Sequence, residues 1–181
     1  MKKIIFQNKE LNLVPKSEEK LYDALNKISK ILNINAPDLA FAPIRREIYL
    51  PELEGLSVTK DEDPDLSNNL VILNYELIKK GPTPDLILIG TLAHELRHLW
   101  QKTSNKYVEH DSSLCDPNEL DADAFASYIV SKLYDINVEE AARIYNYDLT
   151  LYPYSIEGAF LNSLNLDARI ELAKKLKEDY I

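Results

Sequence analysis

The residues best equipped for chemistry stand together at His94-Glu95-Leu96-Arg97-His98. Side chains four apart on an α-helix share a face, with Cβ atoms about 5–6 Å apart. Two imidazoles so placed can converge on one ion at the usual Zn–N distance of ~2.0–2.1 Å. Glu95 projects beside such an ion rather than onto it, where it can take a proton from a water that the ion acidifies. An HExxH pattern also arises by chance, and the plain alternative is structural. In that alternative His98 satisfies a backbone carbonyl and Glu95 pairs with Arg97 or Lys102 at the surface. Against it stands the apolar character of the segment, because burying two histidines and a glutamate costs free energy unless each finds a partner.

Two imidazoles need a third ligand, and its identity decides the subclass. The metzincin pattern, HExxHxxGxxH, is excluded. Gln101 and Ser104 fall where its glycine and third histidine would stand, and Met1 is the one methionine, so no Met-turn can form. Downstream, Asn118-Glu119-Leu120-Asp121-Ala122-Asp123-Ala124-Phe125-Ala126 places Glu119 and Asp123 four apart, on one helical face. Together with His94, Glu95 and His98 these two residues resemble the gluzincin pattern, HExxH followed by Glu-x-x-x-Asp. The stretch ELDADAFA is similar to the ExxADxFA segment of the ImmA/IrrE-like metallopeptidases, and the resemblance covers about residues 70–130.

The resemblance implies a zincin-like domain with one zinc ion per chain, held by His94, His98 and Glu119. It implies that Asp123 accepts the outer N–H of a ligand histidine, as carboxylates do at most zinc–histidine sites. The implied activity is zinc-dependent hydrolysis of a peptide bond, a metalloendopeptidase, with Glu95 as general base. Three other donors are less suitable than Glu119. His110 lies in 103–115, a Ser/Asn/Asp-rich stretch read as a mobile loop, where a ligand would have to be ordered first. Asp116 is expected to be occupied as a helix N-cap. Glu109 shares the loop with His110. The plain role of Glu119 is to complete a capping box with Asp116, and that of Asp123 is a solvated helix position. Candidates for stabilising the oxyanion are Tyr107, His110 and Tyr154, together with Tyr147 and Tyr152. Cys115 stands next to Asp116, whose carboxylate disfavours a thiolate, so it is read as inert.

The elements that must position these groups can be traced from the spacing of apolar residues. Thr83 suits an N-cap and Pro84 a first helical position. From there Leu86, Ile89, Ala93, Leu96 and Trp100 recur at helical steps, and Ile87, Leu88, Leu92 and Leu99 widen the apolar surface. A helix apolar over most of its girth is a buried central one. A second helix starts at Asp116-Pro117, with Asp116 as N-cap, and runs to about residue 133. Further helices are predicted at 17–32, with Ser17 as N-cap, and at about 138–149, 155–163 and 167–179. Strands are predicted at 3–6, 44–50 and 69–75. Strands first and helices after give an α+β fold. A small mixed sheet packs on the central HExxH helix, and a helix-rich lobe spans about 136–181.

The chain has 181 residues, 45% of them hydrophobic and 28% charged, which suits a single domain, 1–181, with a full core. Net charge is −9, which argues against nucleic acid or an anionic membrane as the main partner; a peptide or protein substrate is what the resemblance implies. The N-terminal Ile4-Ile5-Phe6 is too short for a signal-peptide core, no run reaches the ~18–20 apolar residues of a membrane span, and a lone cysteine forms no internal disulfide. A cytoplasmic location is the default. One rival is a non-catalytic zinc protein or degenerate zincin that acts as a binding or regulatory module. A structural site is closed by four protein ligands, so His110 or Cys115 entering the sphere would favour that rival. A second rival is a hydrolase or regulator acting on something other than a peptide.

Overall fold

The computed structural model describes residues 3–6, 9–42, 44–45, 52–53, 55–79, 83–109, 116–150 and 156–180. The strands among them are β1 (Lys3–Phe6), β2 (Lys9–Leu13), β3 (Asp38–Phe41), β4 (Ile44–Arg45), β5 (Glu52–Leu53), β6 (Gly55–Val58) and β7 (Leu70–Leu73). The helices are α1 (Glu19–Leu32), α2 (Tyr75–Ile78), α3 (Pro84–Thr103), α4 (Pro117–Tyr134), α5 (Val138–Thr150) and α6 (Ile156–Asp179). The protein is thus mixed α+β, with a five-stranded sheet in the order β1-β2-β3-β7-β6. Only β3 and β7 run parallel; the other neighbours are antiparallel.

The strand β7 reads LVIL and is buried at every position, as a strand covered on both faces must be. Successive side chains of a strand point to opposite faces, so β7 feeds two cores. Val71 and Leu73, with Leu39 of β3, pack into the helices. Leu70 and Ile72, with Ala40, meet Phe6, Val58 and Leu66 on the other face. The helical side is centred on α3, which touches β6 and β7 on one flank and α1 and α4 on others. Its buried residues, from Ile87 to Gln101, run round the whole girth, as the sequence predicts for a central helix. In turn α5 and α6 cover α4. No helix among the described residues is long and apolar enough to cross a membrane.

Several predicted boundaries are corrected. Within 44–50 the described strand is only Ile44–Arg45, and it pairs with Glu52–Leu53 in a separate two-stranded ribbon; 46–51 lie outside the described residues. Helix α1 begins at Glu19 after an N-cap at Glu18, not at Ser17. Thr83 precedes α3 without making a side-chain cap hydrogen bond. The two helices expected at 155–163 and 167–179 are one 24-residue helix. No glycine or proline follows Gly158 in it, so nothing local breaks the backbone ladder.

Candidate metal centre

The two helices that carry the site, α3 and α4, run antiparallel side by side. Near their other end the Tyr134 hydroxyl donates to the backbone oxygen of Asp85 at 3.3 Å. Along α3, His94 and His98 are one turn apart, with ring centroids 4.6 Å apart and planes at 80°. Their Nε2 atoms are 2.9 Å apart. Helix α4 supplies Glu119, whose Oε2 lies 3.2 Å from His94 Nε2 and whose Oε1 lies 3.2 Å from His98 Nε2. The three residues form a group that could hold a metal ion, each offering one ligand atom within 4.8 Å of the others. Four tetrahedral ligands at ~2.0–2.1 Å from zinc are themselves about 3.3 Å apart, so the donors stand close to the spacing such an ion needs. The histidine side chains are 13% and 11% exposed and that of Glu119 is 55% exposed, so the group opens to solvent on the glutamate side.

What faces away from this point holds the rings in place. The Nδ1–H of His94 donates to Asp123 Oδ1 at 2.9 Å, with the carboxylate as acceptor. The other oxygen of Asp123 meets the Arg169 guanidinium of α6 at 2.7 Å. The Nδ1–H of His98 donates to Gln101 Oε1 at 2.8 Å. The Gln101 amide can present that oxygen because its nitrogen donates to Asn118 O at 3.0 Å and to Asp121 Oδ2 at 2.8 Å. Both Nδ1 atoms are thereby committed as donors, which leaves each Nε2 lone pair for an ion.

The charged Arg97, inside the motif, turns away from the metal group. It makes a two-pronged pair with Asp121, Nε to Oδ2 at 2.8 Å and NH2 to Oδ1 at 3.0 Å, and it donates through NH1 to the Tyr180 hydroxyl at 3.1 Å. The guanidinium lies 3.9 Å over the Trp100 ring and 5.0 Å from the Phe125 ring centroid. A buried arginine needs such complete pairing, because an unpartnered charge there is strongly destabilising. The two surface pairings weighed for Glu95 are thus not formed. Arg97 is taken by Asp121, and Lys102 reaches Glu62 at 3.0 Å and Ser57 O at 3.3 Å. Glu95 is 7% exposed and stands outside the three-donor group.

Electrostatics follow from the geometry. Burial alone would lower the pKa of His94. The hydrogen bonds with Asp123 and Glu119, and the charges of Asp123 and Glu95, outweigh burial and hold it well above the usual value. Burial would raise Glu119, but the facing imidazoles His94 and His98 hold its carboxyl well below the ordinary carboxylate range. His94 and Glu119 therefore each stabilise the charged form of the other.

The cap of α4 forms as predicted, with Asp116 Oδ1 accepting from Asn118 N–H at 2.7 Å. Both oxygens of Glu119 lie against imidazoles, so its role is at the metal group rather than in a capping box. The segment after α3 is better anchored than its composition suggests. Backbone N–H groups of Lys106 and Tyr107 donate to Gln101 O, and Asn118 bonds both the N–H and the C=O of Val108. Tyr107 on this segment is 47% exposed. His110, Cys115, Tyr152 and Tyr154 lie outside the described residues, as does the side chain of Tyr147. A separate groove of about 440 Å³, lined by Phe41, Tyr75, Leu88 and Tyr134 among others, lies by Asp85. That is roughly 13 Å along α3 from His94 at 1.5 Å per residue, and the groove takes no part in the metal group.

Four members of this arrangement are absent from the sequence reading: Gln101, Asp121, Arg169 and Tyr180. Once His98 is set opposite Glu119, antiparallel packing brings Arg97 to Asp121 and His94 to Asp123, so Asp121 was within reach of the pattern. Arg169 and Tyr180 had no signal, since they come from α6 and the residue just after it. Gln101→Ala is expected to lower zinc affinity about 10–100-fold, as loss of a ligand's orienting partner does, with the fold retained. Competition with a chromophoric chelator measures it.

No family model, no curated protein and no solved structure matches the chain.

Proposed function

We propose that the chain is a zinc-dependent peptidase of the gluzincin type, built on a zincin-like fold and acting in the cytoplasm. One observation carries the reading. Two imidazoles and a carboxylate from antiparallel helices converge, while a fourth group, Glu95, is held close by and outside the three. Two nitrogens and one oxygen make a donor set characteristic of catalytic zinc sites, where three protein ligands leave a position open. Bound there, zinc would supply Lewis acidity and a water with a pKa near 7. In this scheme Glu95 accepts the proton of the attacking water and delivers it to the leaving amine. Asp123 and Gln101 keep the imidazoles in the tautomer that ligates. The open flank at Glu119 admits the substrate.

The rival, a closed structural site, requires a fourth protein ligand. Among the described residues three donors converge, as the catalytic reading requires, and His110 and Cys115, the candidates for a fourth, lie outside them. The test is metal analysis of the purified protein combined with a peptide-library digest. The expected result is about one zinc per chain and cleavage that a chelator abolishes and zinc restores. Protein that neither contains nor takes up zinc would remove the central claim. Zinc-loaded protein that cleaves no peptide would favour the binding module.

A further inference from the structure

Gly55 opens β6, one of the two edge strands of the five-stranded sheet among the described residues, and β6 lies against α3. The pairing of Gly55 with Leu73 is ordinary antiparallel ladder, and its φ is not in the left-handed region. Backbone conformation therefore does not call for glycine at this position, and a glycine inside a strand weakens it. Space does call for it. A β-carbon on Gly55 would stand 2.6 Å from Glu95 Oε1, 2.7 Å from Glu95 Cγ and 2.8 Å from Thr91 Cγ2. All three distances are far inside the ~3.5–4.0 Å of an ordinary contact.

We infer that Gly55 is a positioning residue: its missing side chain is what lets the Glu95 carboxylate lie between α3 and the sheet edge, next to His94. The inference rests on Glu95 being the base of the proposed reaction. Thr91 is β-branched and stiff at χ1, so it yields little. The carboxylate of Glu95 sits at the end of three soft torsions, so a methyl group at position 55 displaces Glu95 first. None of the three atoms nearest this methyl position belongs to His94, His98 or Glu119, and those three donors should stay in place.

The test is Gly55→Ala in the full chain. A shift of about 1 Å in a reacting group costs on the order of 10²-fold, so kcat should fall about that far. Zinc affinity and KM should change far less than kcat, because Glu95 stands outside the three-donor group. A kcat within about threefold of the parent would overturn the inference. So would a loss of zinc in proportion to activity. A second measurement does not depend on turnover. Gly55→Ala should lower Tm by about 4 °C in the parent, as mild overpacking does. It should lower Tm hardly at all in a Thr91→Ser/Glu95→Ala background, where the three crowding atoms are gone. Equal losses in both backgrounds would refute the crowding. A parent that cleaves no peptide but shows this thermal coupling would sink the peptidase reading and leave the placement of Glu95 by Gly55 standing.

Discussion

Glu119→Ala is expected to weaken zinc binding by more than about 100-fold, beyond the 10–100-fold that loss of an orienting partner typically costs. Glu119 is the only carboxylate in the three-donor group, and it contributes one oxygen toward each imidazole at 3.2 Å. Without it two neutral nitrogens remain, from a single helix, and the second helix no longer contributes to the site. Asp123→Asn should fall between this variant and the parent, because it keeps the shape that His94 packs against but loses the charge. Asn at 123 is preferable to Ala, since the carboxylate also meets the buried guanidinium of Arg169. His110→Ala should bind zinc nearly as the parent does. Competition with a chromophoric chelator ranks the three. Should His110→Ala prove the most damaging while Glu119→Ala is tolerated, the His94–His98–Glu119 group is not the metal site.

The second large effect concerns turnover. Glu95→Gln should reduce kcat by about 10²–10⁴-fold, the usual contribution of a positioned general base, while about one zinc per chain remains bound. The amide occupies the same volume beneath β6 and against Thr91, so packing is preserved and only proton acceptance is lost. The same substitution tests whether Glu95 ligates: a base can lose its charge and leave the metal behind, whereas a ligand cannot. Metal content by elemental analysis, read beside the rate on one cleavable peptide, separates the two roles. Retained turnover in Glu95→Gln would mean that another group takes the proton.

The metal group was legible in the sequence because its chemistry is local. His94 and His98 share a helical face by spacing alone, and Asp116-Pro117 announces the second helix. The resemblance then singled out Glu119 and Asp123, and the structure brings both to the histidines. Less legible was everything that depends on packing between distant segments. Strands β2, β3 and β6 have four or five residues each, too few for alternation to stand out, and β3 is set by its parallel pairing with β7 rather than by its own pattern. Gly55 carries no signal in the sequence, since the space it leaves is filled by a residue 40 positions later. The partners of Arg97, Asp121 from the next helix and the Trp100 ring, are likewise set by packing. Long-range partners of this kind carry no periodicity, and a single sequence does not display them.

The placement of α6 has a consequence for how the centre is assembled. Arg169 secures Asp123 behind His94, and Tyr180 secures Arg97, whose partner Asp121 also holds the Gln101 amide behind His98. Both histidine rings are thus steadied from α6 and the residue that follows it, and 83 residues separate Arg97 from Tyr180. In the proposed zinc-bound protein, ion capture and docking of α6 are therefore linked equilibria, and each strengthens the other by the same factor.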